Sequence, residues 1–212
     1  TAEKLNLDFD TVGTATTSIN VDLAKATANK ATSFNITAKD AYVTLIESTA
    51  SVATTSATIA ATGTNKIQFA AADLATIETL TVTGKGSVDV SGAAMTALKT
   101  LTAADGGVKV DATGGVLETV TTGAGVDTIT VVGTTVKNIS TGAGNDSVTD
   151  VTTGLAATSV VDLGAGDDTY TMANAATAGA TITAGAGKDT LATAYATYNL
   201  VSAFAATNLA KI

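Results

Sequence analysis

Short runs in which apolar and polar residues alternate recur along this 212-residue chain. Val88-Asp89-Val90 and Ile129-Thr130-Val131 are two such runs, and this alternation places the apolar side chains on one face of a strand. Thr, Val and Ile dominate the runs, and their β-branched side chains suit a pleated, half-buried surface better than a helix. The pattern therefore predicts many short β-strands, each with one buried face.

Equivalent apolar positions recur at nearly constant intervals. From Leu80 onward the intervals are 21, 19, 19, 22 and 21 residues, and the positions are Leu80, Leu101, Val120, Ile139, Val161 and Ile182. Intervals of 21, 23 and 17 extend the series upstream through Ile59, Ile36 and Ile19. A single repeat cannot bury its own apolar face, whereas stacked repeats bury a continuous core. We therefore predict an all-β fold, a parallel β-solenoid (β-roll or β-helix) of about nine rungs of roughly 20 residues.

The regularity of these intervals divides the chain into three parts. Residues 1–75, where the spacing drifts most, are predicted as an N-terminal β region of irregular early rungs. Residues 76–192 are predicted as the regular solenoid, and residues 193–212 as a C-terminal cap or the edge of a next domain. Helix is an alternative only for three alanine-rich segments, of which the second fits the far corner of a rung equally well: Ala70–Leu80, Ala93–Leu98 and Ala194–Leu209.

A turn motif, Gly-Ala-Gly-x-Asp, occurs four times in the later part of the chain. The copies begin at Gly123, Gly142, Gly164 and Gly185, and they end at Asp127, Asp146, Asp168 and Asp189. In a stacked coil these turns lie one above another on one edge, roughly 4.8 Å apart. Unpaired carboxylates at that spacing repel one another, so the motif predicts a cation-binding edge.

Composition excludes several kinds of chemistry. The chain contains no Cys, Pro, His, Trp or Arg, which excludes disulfides, Cys or His zinc sites and His-based catalytic triads. The net charge of −8 argues against nucleic acid as a partner. No run approaches the roughly 20 apolar residues needed to span a bilayer, so we expect no membrane insertion.

The four turns resemble the RTX calcium repeat, whose consensus is G-G-x-G-x-D followed by x-U-x, where U is a large apolar residue. The resemblance covers residues 123–191, but the second position is Ala and the motifs lie about 20 residues apart in place of about nine. It implies Ca²⁺ as the cofactor, carboxylate ligands from the four motif aspartates, and backbone ligands from the turns. The glycines of this predicted site are Gly123, Gly125, Gly142, Gly144, Gly164, Gly166, Gly185 and Gly187.

The predicted calcium edge is limited to one side of the coil, because the opposite corners lack the motif. Asp150 and Asp162 flank the second and third turns and are candidates for additional ligands, while Lys188 is expected to weaken the last site by charge repulsion. The earlier turns at 83–86 and 104–107 have no Asp at the ligand position. We expect those rungs to stack without metal.

Sparse calcium repeats in a Thr-, Ala-, Val- and Gly-rich chain of low aromatic content look like a segment of an RTX-type bacterial surface-layer (S-layer) protein. That resemblance implies a secreted, structural, non-enzymatic protein, exported by type I secretion, that folds on binding calcium and self-assembles into a paracrystalline cell-surface coat. Its implied partners are other copies of itself and, through a region outside this chain, cell-surface polysaccharide.

Two alternatives remain open. One is an RTX adhesin, or the secretion and folding repeat module of a type I-secreted toxin or enzyme. The other is a polysaccharide-active β-helix enzyme, for which the scattered four Tyr and four Phe provide no obvious sugar-stacking platform.

Overall fold

A computed structural model describes residues 3–23, 31–46, 54–69, 76–91, 95–114, 116–132, 135–151, 154–172, 180–193 and 209–211. These ranges form β-strands and turns with no α-helix, and no helix in them is long and apolar enough to cross a membrane. The strands are β1 (Glu3–Asp10), β2 (Ile19–Asp22), β3 (Ala31–Lys39), β4 (Tyr42–Ile46), β5 (Ser56–Thr62), β6 (Thr64–Phe69), β7 (Thr79–Gly84), β8 (Ser87–Asp89), β9 (Thr100–Ala103), β10 (Val108–Asp111), β11 (Thr119–Thr121), β12 (Thr128–Val131), β13 (Asn138–Ser140), β14 (Ser147–Asp150), β15 (Val160–Asp162), β16 (Thr169–Met172), β17 (Thr181–Thr183), β18 (Asp189–Thr193) and β19 (Leu209–Lys211).

The strands form two parallel sheets. The odd-numbered strands β1 to β17 make a nine-stranded sheet in chain order, and the even-numbered strands β2 to β18 make a ten-stranded sheet that ends with β19. Every pairing between neighbouring strands is parallel. The chain therefore winds as a coil that adds one strand to each sheet per turn. This arrangement confirms the predicted fold class, an all-β parallel β-solenoid.

The predicted domain limits fall within these continuous sheets. Strands β1 to β6, from residues 1–75, lie in the same two sheets as the later strands, and β19 pairs with β18. The helical alternatives fall largely outside the described residues, at 70–75, 93–94 and 194–208. Within the described parts, residues 79–84 form β7, and Leu98 N donates to Met95 O at 3.2 Å in a turn.

The core is a column of apolar side chains between the sheets. The six anchors from Leu80 to Ile182 are direct neighbours on successive strands, as the 19- to 22-residue intervals predict, and each is at most 2% exposed. Alternate residues of the strands turn outward. Every second side chain along a strand is therefore buried, as the alternation in the sequence predicts.

The register upstream of Leu80 differs from the sequence prediction. Ile36 does pair with Ile59, but Ile59 pairs with Val82. Ile19 lies in the other sheet, where it pairs with Val43, so its assignment to the anchor series is wrong. The longer strands β3 and β5 carry several apolar residues on one face, so the interval in sequence does not determine which of them pair.

Candidate cation site on the aspartate edge

The four motif aspartates lie in one column on a single edge of the solenoid. Each stands where a turn enters the ten-stranded sheet, and the residues that follow them pair in register, Thr128 with Ser147, Ser147 with Thr169, and Thr169 with Thr190. All four side chains are at most 2% exposed. They point inward because they have the same phase as the buried apolar residue two positions later. We call this column the aspartate ladder: Asp127, Asp146, Asp168 and Asp189.

One oxygen of each ladder carboxylate accepts a backbone hydrogen bond from the rung before it. Asp146 Oδ1 accepts from Asp127 N at 2.8 Å, and Asp127 Oδ1 accepts from Val108 N at 2.7 Å. The next two bonds are Asp146 N to Asp168 Oδ1 at 2.7 Å and Asp168 N to Asp189 Oδ1 at 3.0 Å. These N–H groups lie at the corner of the coil, and a buried N–H needs an acceptor. The carboxylates therefore complete the backbone pairing of the corner.

The other oxygen, Oδ2, is buried in all four ladder aspartates and has no hydrogen-bond partner among the described residues. Burial raises the pKa of Asp127 and of Asp168 to about 6, and it also raises the pKa of Asp146. Neighbouring ladder carboxylates raise the first two further. A buried carboxylate oxygen without a partner is destabilising. Each rung therefore holds an oxygen that a proton or a cation would stabilise.

Two buried threonine hydroxyls lie beside the first two ladder carboxylates, and their proximity lowers the pKa of Asp127 and of Asp146, against the larger effect of burial. The Thr122 hydroxyl donates to Thr141 O at 2.8 Å, and the Thr141 hydroxyl donates to Leu163 O at 2.7 Å. A hydroxyl has one proton to donate. These two threonines therefore also join successive rungs.

Asn65, which the sequence motif misses, occupies the same column further upstream. It pairs in register with Val88, and Val88 pairs with Val108, the residue below Asp127. Asn65 Oδ1 accepts from Ala41 N at 3.0 Å, the bond that each ladder carboxylate makes. The signal that could have found it is its place two residues before the buried Ile67, the spacing of Asp127 and Ile129.

The amide nitrogen of Asn65, Nδ2, is the side-chain atom that corresponds to Oδ2 of a ladder aspartate. Nδ2 donates to Thr62 O, three residues earlier, and to Ser87 O in the next rung, both at 3.1 Å. An aspartate at this position presents an oxygen where Asn65 presents a donor. Asn65 therefore pairs both of its side-chain polar groups, whereas a ladder aspartate pairs only Oδ1.

Stacking of the turn backbone accounts for the glycines of the motif. In the later three copies both glycines, at the first and third positions of the motif, have positive φ: Gly142, Gly144, Gly164, Gly166, Gly185 and Gly187. A Cβ added at Gly166, where φ is 144°, would collide with the Gly144 carbonyl oxygen directly beneath it. Cβ atoms at Gly123 and Gly125 would likewise collide with backbone of the preceding turn. Glycine is therefore required by the stacked backbone itself.

The predicted accessory residues lie away from the unpartnered oxygens. Asp150 is buried at the far end of β14, four residues past Asp146, or about 13 Å along an extended strand, which is too far to share an ion with it. Asp162 faces solvent, and its Oδ1 accepts from Gly164 N at 3.2 Å. Lys188 is exposed, and its backbone N–H donates to Asp167 Oδ1 at 2.8 Å. Neither Asp150 nor Asp162 therefore adds a carboxylate to the ladder.

Within the described ranges, no group of three or more acidic side chains converges on one point. A cation at the ladder would therefore take most of its ligands from backbone carbonyls and water. A cleft of about 190 Å³ lies on the same edge further upstream, lined in part by Asn65, Val108 and Val126. It is smaller than the roughly 300 Å³ typical of small-molecule pockets.

Comparison of the chain with protein-family models, with curated proteins and with solved structures gives no match.

Proposed function

We propose that this chain is a structural β-solenoid whose aspartate edge binds Ca²⁺, and that calcium stabilises the stacking of the later rungs. The observation that carries the proposal is the buried, unpartnered Oδ2 repeated on four successive rungs. One such oxygen could be an isolated defect. Four in register form a continuous column that one kind of ligand would complete.

The chemistry of the available ligands fits calcium. Ca²⁺ takes six to eight oxygen ligands from carboxylates, backbone carbonyls and water, in flexible geometry. The ladder offers one unpartnered carboxylate oxygen per rung, and the glycine-rich turns stack their backbone carbonyls rung upon rung beside it. Calcium bound there supplies positive charge that offsets the repulsion between successive carboxylates.

Protonation competes with calcium at this position. A pKa of about 6 for Asp127 and Asp168 leaves these carboxyls mostly ionised at pH 7 and mostly protonated at pH 5. Metal ligation requires the ionised form, so calcium binding releases protons and strengthens as the pH rises. The proposal therefore concerns neutral and higher pH.

The wider setting that we propose is a segment of an RTX-type surface-layer protein, secreted and located at the cell surface, which assembles with copies of itself. The Gly-Ala-Gly-x-Asp turns support the RTX resemblance, and a parallel solenoid suits a structural, non-enzymatic coat. An RTX adhesin or secretion module uses the same turns. Assembly on calcium binding distinguishes the two settings.

The test is a calcium titration of the EGTA-treated chain, followed by calorimetry for binding, circular dichroism for β structure and light scattering for assembly. We expect saturable binding at millimolar or lower calcium, a gain in thermal stability, and growth of ordered assemblies. A variant with Asp146→Ala and Asp168→Ala should lose most of the calcium response. The matched control, Asp105→Ala, changes an exposed aspartate of an upstream turn and should retain it.

Two outcomes count against the proposal. Absence of any calcium response at several millimolar would remove the metal assignment and leave the ladder as a protonated or strained column. Binding and stabilisation without assembly would keep the metal site and replace the surface-layer setting by the adhesin or secretion module.

A further inference from the structure

A second column of charged residues runs along another corner of the solenoid, where each turn enters the nine-stranded sheet. Four residues occupy equivalent positions just before β7, β9, β11 and β13, and we call them the charge column: Glu78, Lys99, Glu118 and Lys137. The backbone N–H of each donates to the carbonyl of the one before, at 2.9, 2.9 and 2.8 Å. The column is therefore a stack of four rungs in register.

The side chains pair along the column and still face solvent. Lys99 Nζ lies 2.9 Å from Glu78 Oε1, and Lys137 Nζ lies 2.7 Å from Glu118 Oε2. The four side chains are between 38% and 67% exposed. The positions on either side are uncharged, Thr55 below and Ser159 above. The column is thus a finite strip of four exposed charges.

The order of these charges is acid, base, acid, base, which is complementary to its own reverse. A two-fold axis through the middle of the strip would place each acid of one copy opposite a base of a second copy. Such an isologous contact uses the same surface on both partners. A second copy aligned parallel and in register would instead place like charges opposite each other. A parallel copy shifted by one rung would match opposite charges at only three positions, so the pattern favours the antiparallel orientation, which matches all four.

Another column of the same solenoid lacks this property. Lys66, Asp89 and Lys109 stack in register on the ten-stranded sheet, with Lys109 Nζ 3.8 Å from Asp89 Oδ2. Alternation in this column also avoids like charges within one chain. This column has three charges, however, so an antiparallel second copy would place lysine opposite lysine. Pairing within the chain therefore accounts for alternation in both columns. Self-complementarity separates the charge column from this three-residue column; among the described residues the exposed Asp10–Lys39 pair shares it, but with two charges in place of four.

We propose that the charge column is a self-association surface on which a second copy of this chain docks in antiparallel orientation. The inference rests on the proposed self-assembling role, but it does not depend on the calcium site. Two exposed valines lie near the column: Val116, two residues before Glu118, is 40% exposed, and Val160, which pairs with Asn138 beside Lys137, is 43% exposed. Exposed ion pairs are individually weak, so the contact is expected to be sensitive to salt.

The test uses two charge-swap variants that keep the net charge and both ion pairs within the chain. Glu118→Lys with Lys137→Glu changes the order to acid, base, base, acid, and Glu78→Lys with Lys99→Glu changes it to base, acid, acid, base. In an antiparallel homodimer of either variant, like charges would stand opposite each other at all four positions. Mixed with each other, the two variants are complementary at all four. Swapping all four residues restores self-complementarity and is the matched control.

Self-association is measured by sedimentation equilibrium at low and high ionic strength, with circular dichroism to verify folding. We expect a wild-type dimer that weakens with salt, a dimer Kd raised about tenfold or more in each variant alone, and recovery in the equimolar mixture and in the four-residue swap. Wild-type chain that stays monomeric at low salt, variants that associate as wild type does, or a mixture without recovery would each overturn the inference.

Calcium binding by the same variants distinguishes the two proposals. If the swaps leave association unchanged while calcium still binds, the charge column is not the surface and the calcium edge stands. If the swaps abolish association in a chain that binds no calcium, the surface stands and the calcium edge fails.

Discussion

Replacing the Asp146 carboxylate by an amide, Asp146→Asn, changes one atom of the aspartate ladder and hardly alters the shape of the side chain. Oδ1 can still accept the hydrogen bond from Asp127 N, which is 2.8 Å long in the wild-type chain. The unpartnered Oδ2 becomes a nitrogen that can donate to backbone carbonyls, as Asn65 Nδ2 does to Thr62 and Ser87 at 3.1 Å. We therefore expect the calcium-free chain to become more stable.

The size of this effect follows from three contributions. Removing a buried, unsatisfied carboxylate oxygen relieves about 1–3 kcal/mol, and each hydrogen bond gained by the new amide contributes about 1 kcal/mol. Loss of the charge on the acceptor weakens the bond from Asp127 N by about 1 kcal/mol. With one or two such bonds the expected net gain is about 1–4 kcal/mol, and each kcal/mol corresponds to roughly 2–4 °C in Tm for a chain of this size.

Thermal and urea unfolding in EGTA and in millimolar calcium measure the prediction. The variant should be more stable than wild type in EGTA, and its additional stability on adding calcium should be smaller because a carboxylate ligand is gone. Asp105→Asn, at an exposed turn, is the control for the loss of one negative charge. A variant less stable than wild type in EGTA would refute the reasoning, because it would mean that Oδ2 already has a partner.

The reciprocal change, Asn65→Asp, should lower the free energy of unfolding by about 2–4 kcal/mol in EGTA, because two amide hydrogen bonds are lost and a carboxylate is buried. Urea unfolding measures this loss, and an unchanged urea midpoint would contradict the prediction. Burial raises the pKa of Asp127 and Asp168 to about 6, so the folded state holds more protons than the unfolded state between about pH 4 and 6. Calcium-free stability is therefore expected to rise as the pH is lowered from 7 to 5, and a fall in the urea midpoint over that range would count against it. Gly166→Ala should cost about 2 kcal/mol or more, since φ is 144° and the new Cβ would collide with the turn beneath. Thermal unfolding compares it with Gly114→Ala, where the nearest atom is 3.5 Å away and little loss is expected; equal losses in the two variants would argue against close stacking of the turns.

The sequence predicts the coil well where each strand carries a single buried apolar anchor. From Leu80 to Ile182 the intervals and the strand register agree, because strands of three to six residues leave few ways to pair. Upstream, strands of seven to nine residues allow several registers, and Ile19 was placed in the wrong sheet. Interval counting therefore works best in the most compact rungs.

The sequence predicts which residues form the candidate site, but it does not predict their hydrogen bonds. The motif located all four ladder aspartates, because glycine turns and the x-U spacing leave a clear trace in the sequence. It missed Asn65, whose turn has the single glycine Gly63 and no aspartate. Which oxygen is paired, and with which rung, depends on the stacking of neighbouring coils. Sequence spacing carries no information about that contact.

The hydrogen bonds of the aspartate ladder all run in one direction along the coil. The carboxylate of each rung holds the amide of the rung before it, so Asp168 secures Asp146 and is itself secured by Asp189. Damage to the ladder is therefore asymmetric: loss of the Asp168 side chain frees the Asp146 amide, while the Asp168 amide still donates to Asp189 Oδ1. The rung that such a lesion loosens directly is the one on its N-terminal side, so the ladder gives a molecule of parallel, nearly repeating coils a polarity.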